Sequence, residues 1–182
     1  MDILDNEIFR NDYEKMKSIS LNPINHTAVN AYEHSELVQK RVNELAEQND
    51  CTLEEKEILS NLARVHDIGK ISGTANPAKS VEMLTQYGIV DDKFVNLVKY
   101  HDTNLPWFIA VQKGQAPSDK AWRKLTSTIN MKLLCIFMVA DRIDCPGSWK
   151  ANEALIWFLN EAIKKQWLNE PIIVDNEFIE EI

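Results

Sequence analysis

The sequence has few cysteines, glycines and prolines. Among its 182 residues, three are cysteine, five are glycine and six are proline. Cys51, Cys135 and Cys145 are odd in number and share no C-x-x-C spacing, so neither a disulfide framework nor a cysteine-rich zinc site is expected. The low glycine and proline content excludes a collagenous or low-complexity chain. This cysteine usage favours a reducing compartment, and we predict a cytoplasmic protein.

Long apolar runs are also missing. No stretch approaches the roughly 20 apolar residues that a membrane span needs, so no membrane is expected among the partners. The N-terminal sequence MDILDNEIFRND is acidic from its second residue and lacks the order of a signal peptide. Hydrophobic residues make up 45% of the chain. We therefore expect one domain over residues 1–182, with its core at about 22–168.

Positive charge is scarce but unevenly distributed. The chain has 20 Lys and Arg against 28 Asp and Glu, a net charge of -8, which argues against nonspecific coating of nucleic acid. Residues 103–140 carry five cations and one anion, about +4, which leaves about -12 for the rest. The five cations are Lys113, Lys120, Arg123, Lys124 and Lys132, and the anion is Asp119. This segment is either an ordinary solvated surface or a contact for an anionic substrate.

Apolar residues recur at helical spacing along most of the chain, which predicts an all-α fold. We expect a helical bundle of about six to eight helices. The pattern places helices at about 27–48, 52–69, 76–88, 91–101, 118–125, 129–142 and 149–168. Thr52 with Glu55 forms a capping box, and Asn76 before Pro77 is a typical helix start.

Two segments do not follow this pattern. Residues 102–117 lack clear periodicity and predict a long loop, of the kind that often covers a binding site. The C-terminal sequence PIIVDNEFIEEI is compatible with a strand or a short helix, and both stay open.

The sequence His66-Asp67-Ile68-Gly69-Lys70 ends an apolar helix. Adjacent side chains on a helix point about 100° apart, so His66 and Asp67 cannot share one apolar face but can flank one ion at the helix end. His34 and Asp141 lie on the apolar faces of two other helices, where an isolated carboxylate is costly. Two imidazoles and two carboxylates neutralise one another around a divalent cation, and this donor set suits Zn, Mn, Fe, Ni or Co. We predict His34, His66, Asp67 and Asp141 as metal ligands.

The order H…HD…D, with its pair written HDIGK, resembles the HD superfamily of metal-dependent phosphohydrolases. The segments NPINHTAVNAYEHSELV, HDIGK and LVKYHD are most similar to the HD region attached to bacterial CCA-adding tRNA nucleotidyltransferases. The similarity covers about residues 22–144, and because we see no nucleotidyltransferase head we expect no polymerase activity. The resemblance implies the same four ligands. It also implies hydrolysis of a phosphomonoester or phosphodiester of a nucleotide or short nucleic-acid end, with a 2′,3′-cyclic phosphate among the candidates.

Two departures from the family pattern narrow this expectation. Relatives with two metals carry a further histidine after the HD pair, where this chain has ISGTANPAKS. We therefore expect one ion, and a two-iron oxygenase on the same scaffold is disfavoured. The motif GYP is also absent, which disfavours an enzyme of the cyclic-di-GMP type.

Beyond the ligands, we assign catalytic roles to Asp67, Lys70 and His101. Asp67 and Asp141 would hold the ion and orient an activated water, while Lys70 and His101 would share the charge that develops on the phosphoryl group. For Lys70, an ordinary solvated lysine is the alternative to a catalytic role. For His101, the alternatives are packing in the core and a contact with a second ion. A catalytically silent nucleotide-binding HD module is the alternative function, and the sequence leaves the oligomeric state open.

Other polar and aromatic residues near these motifs are expected to have structural roles. His26 is expected to cap or pack against the first helix rather than to bind metal. Asp144 and Arg142 are expected at the surface rather than behind the ligands. Trp107 and Trp122 lie within the basic segment, beside its cations, and are expected to pack in the core, although stacking on nucleic-acid bases is the other possibility.

Overall fold

A computed structural model of the protein describes residues 2–179, which are mostly helical, so the predicted all-α fold is confirmed. The nine α-helices of these residues are α1 Glu7–Lys15, α2 Ala31–Gln48, α3 Leu53–Val65, α4 Pro77–Leu84, α5 Asp92–Tyr100, α6 Asn104–Gln112, α7 Asp119–Thr128, α8 Met131–Ala140 and α9 Glu153–Lys164. Short 3-10 helices lie at Ile3–Asp5, Met16–Ser18, Ile68–Ser72, Thr85–Tyr87 and Trp149–Ala151. Two strands follow, β1 Ile173–Val174 and β2 Glu177–Phe178. Within residues 2–179, no helix has the length and apolar character that crossing a bilayer demands.

Most of the α-helices begin at a polar side chain that caps the first turn. These capping residues accept a hydrogen bond from a backbone N–H two or three positions further on; they are Asn6, Asn30, Thr52, Asn76, Asp91, Ser118, Asn130 and Asn152. The capping box of Thr52 and Glu55 is complete in both directions. Capping of this kind satisfies N–H groups that the helix itself cannot pair, which is why the sequence located many of the helix starts.

The prediction of a long loop over residues 102–117 was wrong. Helix α6 occupies Asn104–Gln112, starting at Thr103 without a side-chain cap. Its apolar residues lie all around the helix, so the sequence shows no hydrophobic face there. Packing against α9 holds α6 in place. Helix α1 was also not predicted, although Asn6 caps it.

Helix α8 is the centre of the hydrophobic core. Nine of its ten residues are buried, and it packs against α2, α3 and α9. The same core cluster contains residues on both sides of the expected core at 22–168, among them Phe9, Tyr13, Met16, Ile172, Val174 and Ile179. A helix buried on most of its surface holds a polar residue at its end in a fixed position, and α8 ends directly before Asp141.

Within the C-terminal segment 171–182, for which strand and helix were both open, residues 173–178 form a hairpin on α2, and residues 180–182 lie outside the described residues. The two strands are antiparallel, and the residues between them, Asp175 and Asn176, have φ angles of 53° and 68°. Two positive φ values in succession are typical of a type I′ turn. The Arg41 guanidinium donates two hydrogen bonds to Asp175, at 2.9 and 2.8 Å, and the Asn49 side chain exchanges two with Ile173. These polar contacts attach the hairpin to the outer side of α2.

Candidate metal centre

The centre is built where α3 ends. His66 directly follows Val65, the last residue of this helix, and Asp67 leads into the 3-10 helix Ile68–Ser72. Gly69 brings this turn against α4: its N–H donates to the Ser80 hydroxyl at 3.0 Å, and a Cβ at this position would lie 2.7 Å from the Ser80 backbone nitrogen. Gly69 is therefore needed for close approach of two backbones. The left-handed residue that ends the 3-10 helix is Gly73, with φ 84°.

The structure brings the four predicted ligand side chains together from α2, the end of α3 and the end of α8. His34 Nε2 lies 3.0 Å from Asp141 Oδ1, and His66 Nε2 lies 3.2 Å from the same oxygen. Asp67 Oδ2 lies 3.4 Å from His66 Nε2 and 4.0 Å from His34 Nε2. None of the four side chains is more than 12% exposed. Two nitrogens and two carboxylates are thus close enough to share one ion.

The backbone determines which nitrogen of His66 faces this centre. Its Nδ1 lies 2.9 Å from the carbonyl oxygen of Ala63, and because a carbonyl only accepts, Nδ1 must donate. Nε2 is buried and makes no hydrogen bond in the described part of the chain. A buried polar atom without a partner costs about 1–3 kcal/mol, and such atoms often mark the place of a ligand or ion. The donor set therefore fits a metal ion.

Both carboxylates of the centre are held in the charged form. Burial by itself would raise the pKa of Asp67, but the nearby charges of His66, Lys70 and His34 hold that pKa well below the usual range. For Asp141, burial is likewise outweighed, chiefly by the charge of Arg142. Burial would lower the pKa of His66, but Asp67 and Asp141 raise it to about 10. Two fixed negative charges next to two imidazoles favour a divalent cation at this position.

Lys70 and His101 flank the centre on different elements. Lys70 Nζ lies 2.5 Å from Asp67 Oδ2, the oxygen that also faces the two histidines. His101, at the end of α5, donates from Nδ1 to the Val98 carbonyl at 2.6 Å, and its ring centre lies 5.1 Å from that of His66. Burial, together with the charge of His66, lowers the pKa of His101. His101 is therefore neutral, with Nε2 as a hydrogen-bond acceptor.

The expectation that Asp144 and Arg142 lie at the surface was wrong. The Asp144 side chain is fully buried, and its two oxygens each accept a hydrogen bond at 3.0 Å, from His34 Nδ1 and His26 Nδ1. Arg142 pairs with Asp141 Oδ2, whereas the contacts of the same carboxylate with the two histidines are made by Oδ1. The chain leaves α8 at Asp141 and continues in turns, so helical spacing could not place these side chains.

His26 neither caps α2 nor belongs to the centre itself. Asn30 is the capping residue of α2. The His26 ring lies beside that of His34, with 5.2 Å between ring centres, and donates to Asp144. The described residues thus contain two adjoining groups with metal-ligand spacing, His34 with His66 and Asp67, and His26 with His34 and Asp144.

In the basic segment, most cations lie at the surface, whereas the tryptophans pack against other aromatic rings. Trp122 is buried, and its ring lies 4.8 Å from that of Trp107 and 5.0 Å from that of Phe158, so packing explains it. The cations at 113, 120, 123 and 124 are exposed. On α7, three of them follow helical spacing on the side opposite Trp122, whereas Lys132 lies 3.8 Å from Glu55.

Comparison with protein families agrees with this site. The family model described as HD domain matches residues 31–145, more than half of the chain, so the protein belongs to the HD domain family. Proteins of this family are generally metal-dependent phosphohydrolases that bind divalent metals. The match includes the four clustered side chains and Asp144. Searches of the curated proteins and of the solved structures found no match, so no relative supports the finer similarity to CCA-adding enzymes.

Proposed function

We propose that the protein is a metal-dependent phosphohydrolase. It holds one divalent transition-metal ion, Mn, Ni, Co, Fe or Zn, between His34, His66, Asp67 and Asp141. The observation that carries the proposal is the buried Nε2 of His66, which makes no hydrogen bond within residues 2–179 although it lies 3.2 Å from Asp141 Oδ1 and 3.4 Å from Asp67 Oδ2. The nitrogen and the two carboxylate oxygens are therefore placed so that all three could bind one additional atom, the metal ion.

Each protein group has a separate task in the proposed reaction. When bound, the ion supplies Lewis acidity, which activates water and polarises a phosphoryl oxygen. Arg142 occupies Asp141 Oδ2 and leaves Oδ1 for the centre. Lys70 brings a positive charge to the edge of the centre through its contact with Asp67, where it can stabilise the charge on the phosphoryl oxygens.

His101 is suited to water rather than to phosphate. Because its Nδ1 proton is used by the Val98 carbonyl, its Nε2 can accept a proton or hydrogen bond but cannot donate one in the neutral form. Phosphate oxygens require donors. We therefore assign His101 the task of accepting a hydrogen bond from the attacking water, next to the ring of His66.

We further propose a nucleotide or a short nucleic-acid end as the substrate, with 2′,3′-cyclic phosphates among the esters cleaved. The cations of α7 support this class, together with the resemblance, noted from the sequence alone, of the motif segments to the HD region of CCA-adding tRNA nucleotidyltransferases. The exposed side of α7 carries Lys120, Arg123 and Lys124, for which no ion pair is found within residues 2–179. Such cations attract a phosphate backbone.

The proposal is tested by removing metal with a chelator, reloading single metals, and assaying nucleoside phosphates, cyclic phosphates and short oligonucleotides. We expect about one ion per chain and metal-dependent hydrolysis. His66→Ala combined with Asp67→Ala should abolish both, whereas Asp92→Ala combined with Lys93→Ala, an exposed pair on α5, should change neither. Hydrolysis retained without the HD pair would refute the assignment. Metal and nucleotide binding without cleavage of any substrate would instead indicate a silent binding module.

A further inference from the structure

A second line of polar contacts runs outward from the centre through His34. Nε2 of this residue lies 3.0 Å from Asp141 and its Nδ1 lies 3.0 Å from Asp144 Oδ1, so the ring joins two carboxylates. The second oxygen of Asp144 lies 3.0 Å from His26 Nδ1. The order from the centre is therefore His34, Asp144, His26.

Because Asp144 is buried, its carboxylate depends on the hydrogen bonds from these two histidines. The side chains of His34 and Asp144 are 2% and 0% exposed, whereas that of His26 is 20% exposed. A buried carboxylate is unfavourable unless its oxygens are hydrogen-bonded, and here each oxygen has one histidine donor. Asp144 therefore accepts from both rings.

Backbone contacts hold the two segments together independently of the side chains. The Thr27 N–H donates to the Asp144 carbonyl oxygen at 2.8 Å. The loop that contains His26 is closed by a bridge between Ser20 and Asn30 and by a hydrogen bond from the Leu21 N–H to the Val29 carbonyl. His26 is thus placed by the loop backbone.

We propose that Asp144, supported by His26, is a positioning residue for the metal centre. By accepting the Nδ1 proton of His34, it fixes the tautomer in which Nε2 has its lone pair directed at the ion. The Ala63 carbonyl does the same for His66. A carboxylate behind a metal-bound histidine also makes that ligand more basic. This inference rests on the proposed metal centre, but not on hydrolysis.

The other use of these residues, a second ion between His26, His34 and Asp144, is chemically less suitable. These three do have metal-ligand spacing. His34 would then bind one ion through each nitrogen, which requires loss of both ring protons. Both hydrogen bonds to Asp144 would also be lost. The two uses predict different stoichiometries, one zinc ion per chain against two.

The test measures zinc binding in competition with a chromophoric chelator and follows the His34 Nδ1 proton by NMR in the zinc-loaded protein. Asp144→Asn keeps the side-chain size but removes one acceptor, and we expect zinc affinity to fall about 10–100-fold. The His34 Nδ1–H signal should move upfield and exchange faster with water. His26→Leu should give a smaller loss, and His26→Gln, which restores a donor to Asp144, should recover most of it.

Melting temperatures of the metal-free variants separate positioning from folding, because a merely structural role leaves the His34 signal of the folded protein unchanged. Wild-type zinc affinity and an unchanged His34 signal in Asp144→Asn would overturn the proposal. Two zinc ions per wild-type chain, with one lost in this variant, would overturn it in favour of the second site. A protein that binds one zinc through His34 but hydrolyses nothing contradicts the proposed function alone.

Discussion

His66 Nε2 lies 3.2 Å from Asp141 Oδ1, yet the two atoms make no hydrogen bond. The hydrogen bond to the Ala63 carbonyl fixes the His66 ring, and the buried helix α8 fixes the position of Asp141, which directly follows it. Neither side chain is therefore free to turn toward the other. Two fixed ligand atoms that face a common point, with His34 and Asp67 beside them, are the arrangement that a cation requires.

Lys70 is predicted to act on the phosphate and not on metal binding. Lys70→Ala should lower kcat/KM on the order of 100-fold, the effect of losing one stabilising group at a developing oxyanion, while about one metal ion per chain is retained. Steady-state kinetics and elemental analysis check this. Lys79→Ala, which removes a partly exposed lysine paired with Glu82, is the matched control. Loss of metal from the Lys70 variant would show that the lysine supports the ligands instead.

Gly69 is predicted to be required for stability because of space. Gly69→Ala places a Cβ within 3 Å of the Ser80 backbone nitrogen and the Lys79 side chain, which must push α4 away. We expect a loss of about 1–3 kcal/mol in the free energy of unfolding, typical of overpacking, measured by denaturant titration of the metal-free protein. Ser80→Ala leaves the buried Gly69 N–H without its acceptor and should itself cost about 1–3 kcal/mol. A Gly69→Ala protein as stable as wild type would contradict the steric explanation.

Asp102 is predicted to destabilise the metal-free protein at neutral pH. Burial, with the charge of Asp141 second, raises the pKa of Asp102 from 3.8 to about 6. A pKa raised by folding means that the contribution to stability is present below about pH 4 and is lost as pH rises through 6. Asp102→Asn should therefore stabilise the metal-free protein at pH 7, by on the order of 1–3 kcal/mol.

Measurements at two pH values distinguish the ionisation of Asp102 from a pH-independent effect of the substitution on stability. At pH 4 the difference between Asp102→Asn and wild type should disappear, because the wild-type carboxyl is then protonated in the folded protein. Asp92→Asn, at an exposed position on α5, serves as the control. A variant that is less stable than wild type at both pH values would contradict the prediction.

The sequence predicted the parts of this site that depend on local chemistry. His34 and Asp141 stood out because polar residues on apolar helix faces are rare, and the helix starts were marked by capping residues such as Thr52. Helix α6 was missed because it has no side-chain cap and is apolar on all sides. Asp144 was missed because it follows the end of α8, where a turn rather than helical spacing brings it behind His34.

The cations of α7 are predicted to contribute to recognition of longer substrates. Replacing Lys120, Arg123 and Lys124 together by Gln should weaken binding of a single-stranded oligonucleotide. It should also reduce the slope of log K against log salt by about 2, since each phosphate contact on a single strand contributes about 0.7. Fluorescence anisotropy at several salt concentrations measures both.

The control removes the same charge elsewhere. Lys40, Lys93 and Lys99 are also exposed, on α2 and α5, and no ion pair is found for them within residues 2–179. Their triple replacement by Gln should leave the salt slope unchanged. Equal effects of the two variants would mean that net charge, and not the α7 surface, governs binding.

The most direct test of the metal centre is anomalous diffraction from crystals of the protein loaded with zinc or cobalt. We expect one anomalous peak within bonding distance, about 2.0–2.2 Å, of Nε2 of His34, Nε2 of His66 and oxygens of Asp67 and Asp141. A peak located only between His26, His34 and Asp144, or no peak near His66, would contradict it.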